Sequence, residues 1–212
     1  MYEFDNAALD ALRESVRLRM NEKRYRHTLG VEAAAIMLGG LYMPKRVQSL
    51  RAAALLHDIT KNETNEKQLQ YLAEFDIIVG NSVKYSPKLY HSITASAVIL
   101  RDYPEFASYD VVSAVRWHTT GRYGMRLFDA LIYLADYIEE NRTFEDCVRL
   151  REYFLAAEPE RLDGAARLVH LYKTMVMSVD MTVRCLMEEG GMIDCDTIGC
   201  RNYYLERLRS ED

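Results

Sequence analysis

Apolar residues recur at helical spacing through nearly the whole chain, and strand-like alternation is almost absent. Ala8, Leu9, Leu12, Val16 and Leu18 form one such stripe; Ala165, Leu168, Val169, Tyr172, Val176, Val179 and Val183 form another. A period near 3.6 places these side chains on one face of a helix, and that face must be buried against other helices. An all-α bundle follows. Asp5 precedes the first segment, Pro44 opens one that runs to Leu56, Pro104 opens another toward Trp117, and Pro159 stands just before a long C-terminal helix. Gly39-Gly40 and Gly190-Gly191 fall where helices should stop, and Gly121 to Gly124 marks a further break. The expectation is about eight to ten helices joined by short turns.

At 212 residues, with no repeat, low-complexity tract or convincing linker, the chain suits one domain with its own core. A net charge of -5 gives no general basic field for a nucleic acid polymer, although a local basic pocket for a small phosphate compound stays compatible with it. Met1 to Asn6 lacks a basic stretch leading into an apolar core, and no uncharged apolar run approaches the ~20 residues that span a bilayer. A cytoplasmic protein with no membrane partner is expected. Cys147, Cys185, Cys195 and Cys200 are sparse and irregularly spaced, as reduced thiols would be. The segment from Lys61 to Lys88 is the loosest, reading as a short helix with a mobile loop that leads to His91.

The chemistry lies in scattered polar residues. His57-Asp58 ends the apolar helix Ala52-Ala53-Ala54-Leu55-Leu56, so two neighbouring donors leave a buried element where its hydrogen-bond ladder stops. His27 begins a helix with small residues at Ala33, Ala34 and Ala35, His91 opens the segment to Leu100, and His118 closes the one from Val111 to Trp117. Asp136 follows Leu131-Ile132-Tyr133-Leu134-Ala135, where an unpaired carboxylate would be costly; a cation, or an ion pair with Arg116 or Arg142, would satisfy it. Each of these histidines alone is better read as a structural side chain, partly buried or at a helix end, and only their ordered combination points to a metal. Together, imidazole and carboxylate donors suit transition metals, and iron, manganese, cobalt, nickel and zinc all tolerate such a set. Lys61 lies one turn past Asp58, within range of a phosphoryl leaving oxygen. Thr119-Thr120-Gly121-Arg122 supplies hydroxyls, a flexible backbone and a guanidinium suited to phosphate oxygens. Tyr25 and Tyr123 could stack on a base, whereas His170 has no partner at helical spacing and reads as structural.

Arg24-Tyr25-Arg26-His27-Thr28-Leu29-Gly30-Val31, Ala53-Ala54-Leu55-Leu56-His57-Asp58, Trp117-His118-Thr119-Thr120-Gly121 and Leu134-Ala135-Asp136-Tyr137-Ile138-Glu139 with Asn141-Arg142 occur in that order. In this the chain resembles the HD-domain metal-dependent phosphohydrolases, an all-helical superfamily, and specifically its YqeK branch. The resemblance implies a single HD domain over 1–212, with its core at about 20–142 and a helical extension at about 143–212. It further implies a symmetrically acting diadenosine tetraphosphate hydrolase that releases two ADP at a di-iron centre. Carried over, the family's ligand pattern assigns His27, His57, Asp58 and Asp136 to one ion and Asp58, His91 and His118 to the other, with Asp58 bridging and also counted as catalytic. Lys61 becomes general acid or transition-state stabiliser, and Thr119, Thr120, Gly121, Arg122 and, more weakly, Arg26 become phosphate contacts. Two features depart from the family: Ser92-Ile93 follow His91 where a Gly-like residue is expected, and the stretch from Asn81 to Leu89 is longer.

Two cations that share a water bring its pKa toward neutrality, and the resulting hydroxide is the expected nucleophile. Two rivals stay open: an HD phosphohydrolase acting on another nucleotide phosphoester or a cyclic dinucleotide, and a non-catalytic nucleotide-binding HD module. The partner expected is a nucleotide or dinucleoside polyphosphate. The tail beyond Phe144 could cap the core or form a homodimer surface.

Overall fold

In the computed structural model, residues 4–211 are described; Met1 to Glu3, half of the Met1 to Asn6 stretch discussed above, and Asp212 lie outside the described residues. The described residues form eleven α-helices, two short 3-10 turns and no strand. Ten of the helices are longer than a single turn: α1 (Asn6–Arg17), α2 (Glu22–Tyr42), α3 (Val47–Leu56), α4 (Asn65–Glu74), α6 (Tyr90–Asp102), α7 (Tyr109–Trp117), α8 (Leu127–Ile138), α9 (Glu145–Ala156), α10 (Gly164–Glu188) and α11 (Cys195–Glu211). The remaining one, α5 (Asn81–Lys84), is one turn long. No described helix is long and apolar enough to cross a membrane.

Helix α3 is the hub. Leu50 and Ala52 through Leu56 are fully buried, so its C-terminal half is apolar on every side and the helix takes neighbours all round: α2, α1, α7 and α8 pack against it. Three consecutive alanines let those neighbours come close. Gly39 serves the same end, since a Cβ there would lie 2.9 Å from Leu50 Cδ1 and 3.1 Å from Val47 Cγ2. Gly39-Gly40 therefore do not stop a helix: they sit inside α2, which continues to Tyr42, because close packing at Gly39 outweighs the weak helix propensity of glycine. Helix α8 completes the core with Phe128 through Asp136 buried along its length.

Capping, more than proline, sets where helices begin. Asp5 accepts from Ala8 N at 2.7 Å to open α1, as expected. Pro44 starts only a 3-10 turn ahead of α3. The helix expected after Pro104 begins at Tyr109, capped by Ser108, and the one after Pro159 begins at Gly164, capped by Asp163. A polar side chain at the N-cap satisfies a free N–H, whereas a proline only tolerates the position. The stretch from Lys61 is more tied down than its polar ends implied. Thr64 caps α4, Gln68 donates to Thr60 O at 2.5 Å, and Leu72, Val83, Tyr90 and Ile93 form a second small core beneath the loop. At the other end, α10 and α11 form a hairpin turned at Gly190, whose φ of +66° suits glycine.

Candidate metal centre

Five helix segments deliver their polar residues to one place. His27 lies in the second turn of α2, His57 caps the C-terminus of α3 with Asp58 next, His91 is in the first turn of α6, His118 caps the C-terminus of α7, and Asp136 is near the end of α8. All are buried.

The imidazoles are oriented alike. His57 Nδ1 faces Ala54 O at 2.6 Å, His91 Nδ1 faces Lys88 O at 2.7 Å, His118 Nδ1 faces Val115 O at 2.7 Å, and His27 Nδ1 faces Glu139 Oε1 at 3.0 Å. Every Nδ1 thus donates to an acceptor, which leaves the Nε2 lone pairs turned inward. The nitrogens come in pairs, His27 Nε2 and His57 Nε2 at 3.4 Å, and His91 Nε2 and His118 Nε2 at 3.1 Å. Lone pairs so close repel unless a positive charge lies with them.

Asp58 stands between the pairs. Its Oδ2 is 3.3 Å from His57 Nε2 and 3.7 Å from His27 Nε2, while its Oδ1 is 3.3 Å from His91 Nε2 and 3.6 Å from His118 Nε2. Oδ1 is buried with no hydrogen bond, which in an ionised carboxylate calls for a cation. His27, His57 and Asp58 form one compact donor group and Asp58, His91 and His118 a second. The cluster therefore has the make-up of a divalent-metal site. Asp136 Oδ1 lies 2.9 Å from His27 Nε2 and 3.8 Å from His57 Nε2, beside the first group.

Without a metal the electrostatics divide the imidazoles. Burial pushes the His57 and His91 imidazoles below the ordinary value, so both stay neutral. Burial also works against charge on His27, but its bonds to Asp136 and Glu139 outweigh this and raise it to about 9. Burial opposes ionisation of Asp58 and Asp136 too; Asp58 is nevertheless held well below the carboxylate range by the surrounding histidines, and Asp136 by Arg142 and His27. Arg24 Nη1 donates to Asp58 Oδ2 at 2.6 Å and Arg142 Nη2 donates to Asp136 Oδ1.

A cleft of about 240 Å³ opens over the cluster, lined by Asp58, His91, His118, Thr119 and Asp136 together with Arg24, Lys61, Lys88, Tyr137 and Arg142. Lys61 Nζ is 3.1 Å from His91 Nδ1, and burial lowers its pKa. Thr119 Oγ1 lies 3.2 Å from His91 Nε2.

The other expected phosphate contacts lie elsewhere. Thr120 is buried and donates to Gly121 O, Gly121 packs on Cys200, and Arg122 turns away to Trp117 and Asp129. The loop leaves α7 through a φ of +63° at Gly121, which sends the residues after Thr119 away from the cleft. Arg26 is exposed and outside the cleft lining. Tyr123 bonds Glu206 on α11, and Tyr25 stacks under Arg17. His170 is structural, with Nε2 bonded to Phe154 O at 3.0 Å.

Arg24, Lys88 and Glu139 were not singled out as site residues from the sequence, yet each stands three positions from a cluster residue: His27, His91 and Asp136 respectively. Three residues is one helical turn on the same face, so the signal was there to find. Glu139 is the most buried of them, its Oε2 accepting from Asn141 N at 2.7 Å and Asn141 Nδ2 at 3.0 Å. Gly30 makes room for it, since a Cβ there would meet Glu139 Oε2 at 2.1 Å.

The HD domain family profile matches residues 24–141. A symmetrical bis(5'-nucleosyl)-tetraphosphatase of Halalkalibacterium halodurans is 32% identical over 90% of this chain and 93% of its own length. The protein of the same name from Bacillus subtilis is 29% identical over 89% of this chain and 92% of its own. A crystal structure from Clostridium acetobutylicum, described as a predicted HD superfamily hydrolase involved in NAD metabolism, superimposes with a TM-score of 0.79 at 30% identity, covering 93% of this chain and 97% of that one. With its histidines and Asp58 gathered on five helix segments and the HD profile spanning the core, this chain belongs to the HD-domain family and groups with the proteins named symmetrical bis(5'-nucleosyl)-tetraphosphatase.

Proposed function

We propose that this protein is a metal-dependent hydrolase that splits a dinucleoside tetraphosphate, diadenosine tetraphosphate foremost, at its central bridge to give two nucleoside diphosphates. The observation that carries the reading is Asp58, whose two oxygens each face a separate pair of inward-turned Nε2 atoms. His27, His57, Asp58 and Asp136 would hold one divalent ion and Asp58, His91 and His118 the other; the donor set suits iron, with manganese, cobalt, nickel or zinc as substitutes. When bound, such a pair supplies Lewis acidity, making water acidic and offsetting phosphoryl charge.

The chain's own residues do the rest. Arg24, Lys61, Lys88 and Arg142 ring the cleft and give a polyphosphate four positive groups along its length. A cleft of about 240 Å³ is small for a whole dinucleotide, so it takes the phosphate chain and leaves both nucleosides at its mouth. Water attacks an inner phosphorus, the central P–O bond breaks, and the electron pair leaves on the oxygen of the departing nucleoside diphosphate. Lys61, half-buried and with its pKa lowered, is placed to stabilise or protonate that oxygen. Thr119 contributes a hydroxyl beside His91. The core at about 20–142 carries all these groups, and the extension at about 143–212 packs on it through α8, α9 and α10.

The test offers metal-loaded protein a mixture of diadenosine tetraphosphate, NAD, nucleotide monoesters and a cyclic dinucleotide. ADP as the dominant product supports the reading; inorganic phosphate, or cleavage of NAD or the cyclic dinucleotide in preference, defeats it. Asp58→Ala should lose bound metal and nearly all turnover while keeping its helical content, and retained metal with full turnover removes the bridging role.

A further inference from the structure

A second cavity, of about 420 Å³, shares no lining residue with the cleft over the metal cluster. Its wall includes Leu100, Tyr109, Ser113, Arg116, Trp117 and Arg122, and no acidic side chain lines it. Arg116 lies 4.0 Å from the Trp117 ring centroid and Arg122 lies 5.4 Å from it, so the indole is flanked by two guanidiniums. Among the described residues Arg116 makes no hydrogen bond or ion pair, and Asp194 and Asp196 act on it only through space. Arg122 reaches Asp129 at 3.7 Å, which leaves its buried Nε without a hydrogen bond. Two guanidiniums on one half-buried wall, one of them without a hydrogen-bonded or ion-paired partner, are unfavourable unless an anionic solute joins them.

We infer that this cavity is a binding site for a small phosphoryl anion, held by Arg116 and Arg122. A guanidinium presents two parallel N–H groups that match the spacing of phosphoryl oxygens, and two guanidiniums on one wall oppose the two negative charges of a phosphate. The apolar side of the cavity, formed by Leu100 and the exposed Tyr109 ring, has room for a flat group attached to the phosphate. The volume is within the ~300–1,000 Å³ of small-molecule pockets. The inference stands independently of the reaction proposed above.

Trp117 is the only tryptophan in the chain, so its fluorescence reports on this cavity. Pyrophosphate and ADP are titrated separately into the full-length parent, into Asp58→Asn, and into Arg116→Met. Expected is a saturable change in emission with at least one probe in the parent and in Asp58→Asn, weakened about tenfold or more in Arg116→Met. Tighter binding of ADP identifies a nucleoside phosphate as the ligand, and equal or tighter binding of pyrophosphate identifies an inorganic one. Should Arg116→Met prove unfolded by circular dichroism, Arg122→Lys is judged by the same criterion. No saturable change with millimolar probe overturns the inference. So does a change that survives unweakened in the folded arginine variant, or one that disappears in Asp58→Asn and thus belongs to the metal cleft.

Discussion

Replacing Glu139 by glutamine isolates what holds His27 in register. The carboxylate is 1% exposed and fully committed: Oε1 takes the His27 Nδ1 proton at 3.0 Å, and Oε2 takes Asn141 N at 2.7 Å and Asn141 Nδ2 at 3.0 Å. Burial works against its ionisation, but the bonds from His27 and Asn141 outweigh that and hold it below the usual carboxylate range. Glutamine has one oxygen where glutamate has two. Whichever way the amide turns, its NH2 faces a donor, either His27 or the Asn141 pair, and a buried charge-assisted bond worth ~1.5–3 kcal/mol is lost. Outer partners of metal-binding histidines typically contribute 10–100-fold in affinity, or about 1.4–2.7 kcal/mol, so the two routes to the number agree. The assay is competition between protein and a calibrated chelator for manganese, with circular dichroism to check the fold. Glu139→Gln should bind the ion of the His27 group about 10–100-fold more weakly, whereas exposed Glu140→Gln should not differ from the parent. A folded Glu139→Gln with parental metal affinity would refute the argument, and Gly30→Ala, whose Cβ would displace the same carboxylate, provides an independent repeat.

Four other outcomes are expected. Lys61→Ala should keep its metal and turn over more slowly; an unchanged rate in a product assay would return Lys61 to a structural role. Gly121→Ala combines a φ of +63° with a Cβ 2.5 Å from Cys200 Sγ, so left-handed strain and overpacking together should destabilise by about 2–5 kcal/mol in urea denaturation. Alkylation of the native protein should label exposed Cys185 and Cys195 and spare buried Cys147 and Cys200, the latter pushed by burial to about 12, as mass spectrometry of the digest would show. In chelator-treated protein the His27 pKa is raised from 6.5 to about 9, so its contribution to stability is complete below pH 6.5 and is lost as pH rises through about 9. The denaturation midpoint should therefore fall between neutral pH and about pH 10 unless metal is restored.

How much of this could be read from the chain differs by level. Helical periodicity is a local property, so the all-α class and the Asp5 cap were legible directly. Helix ends were less so. Gly39 looked like a stop and is a packing contact, because only the presence of Val47 and Leu50 across the gap makes a missing Cβ favourable. The loop after His118 offered four residues chemically suited to phosphate, and the turn at Gly121 keeps Thr119 at the cleft while sending Arg122 to the other side of Trp117. Arg24, Lys88 and Glu139 carried a readable spacing signal that pointed to nothing until their neighbours were known to face inward.

The sequence by itself determined the helices and the roster of imidazole and carboxylate donors, because both depend on side-chain identity and short-range spacing. Tertiary structure alone decided which oxygen of Asp58 faces which histidine pair, which cations ring the cleft, and that Arg116 and Arg122 line a different cavity. Many of those relations join residues far apart in the chain, such as His27 with His57, 30 positions on, and with Glu139, 112 positions on, and are fixed by how helices pack around α3. Packing of that kind follows from shape and burial across the whole core, which no short window of the chain contains.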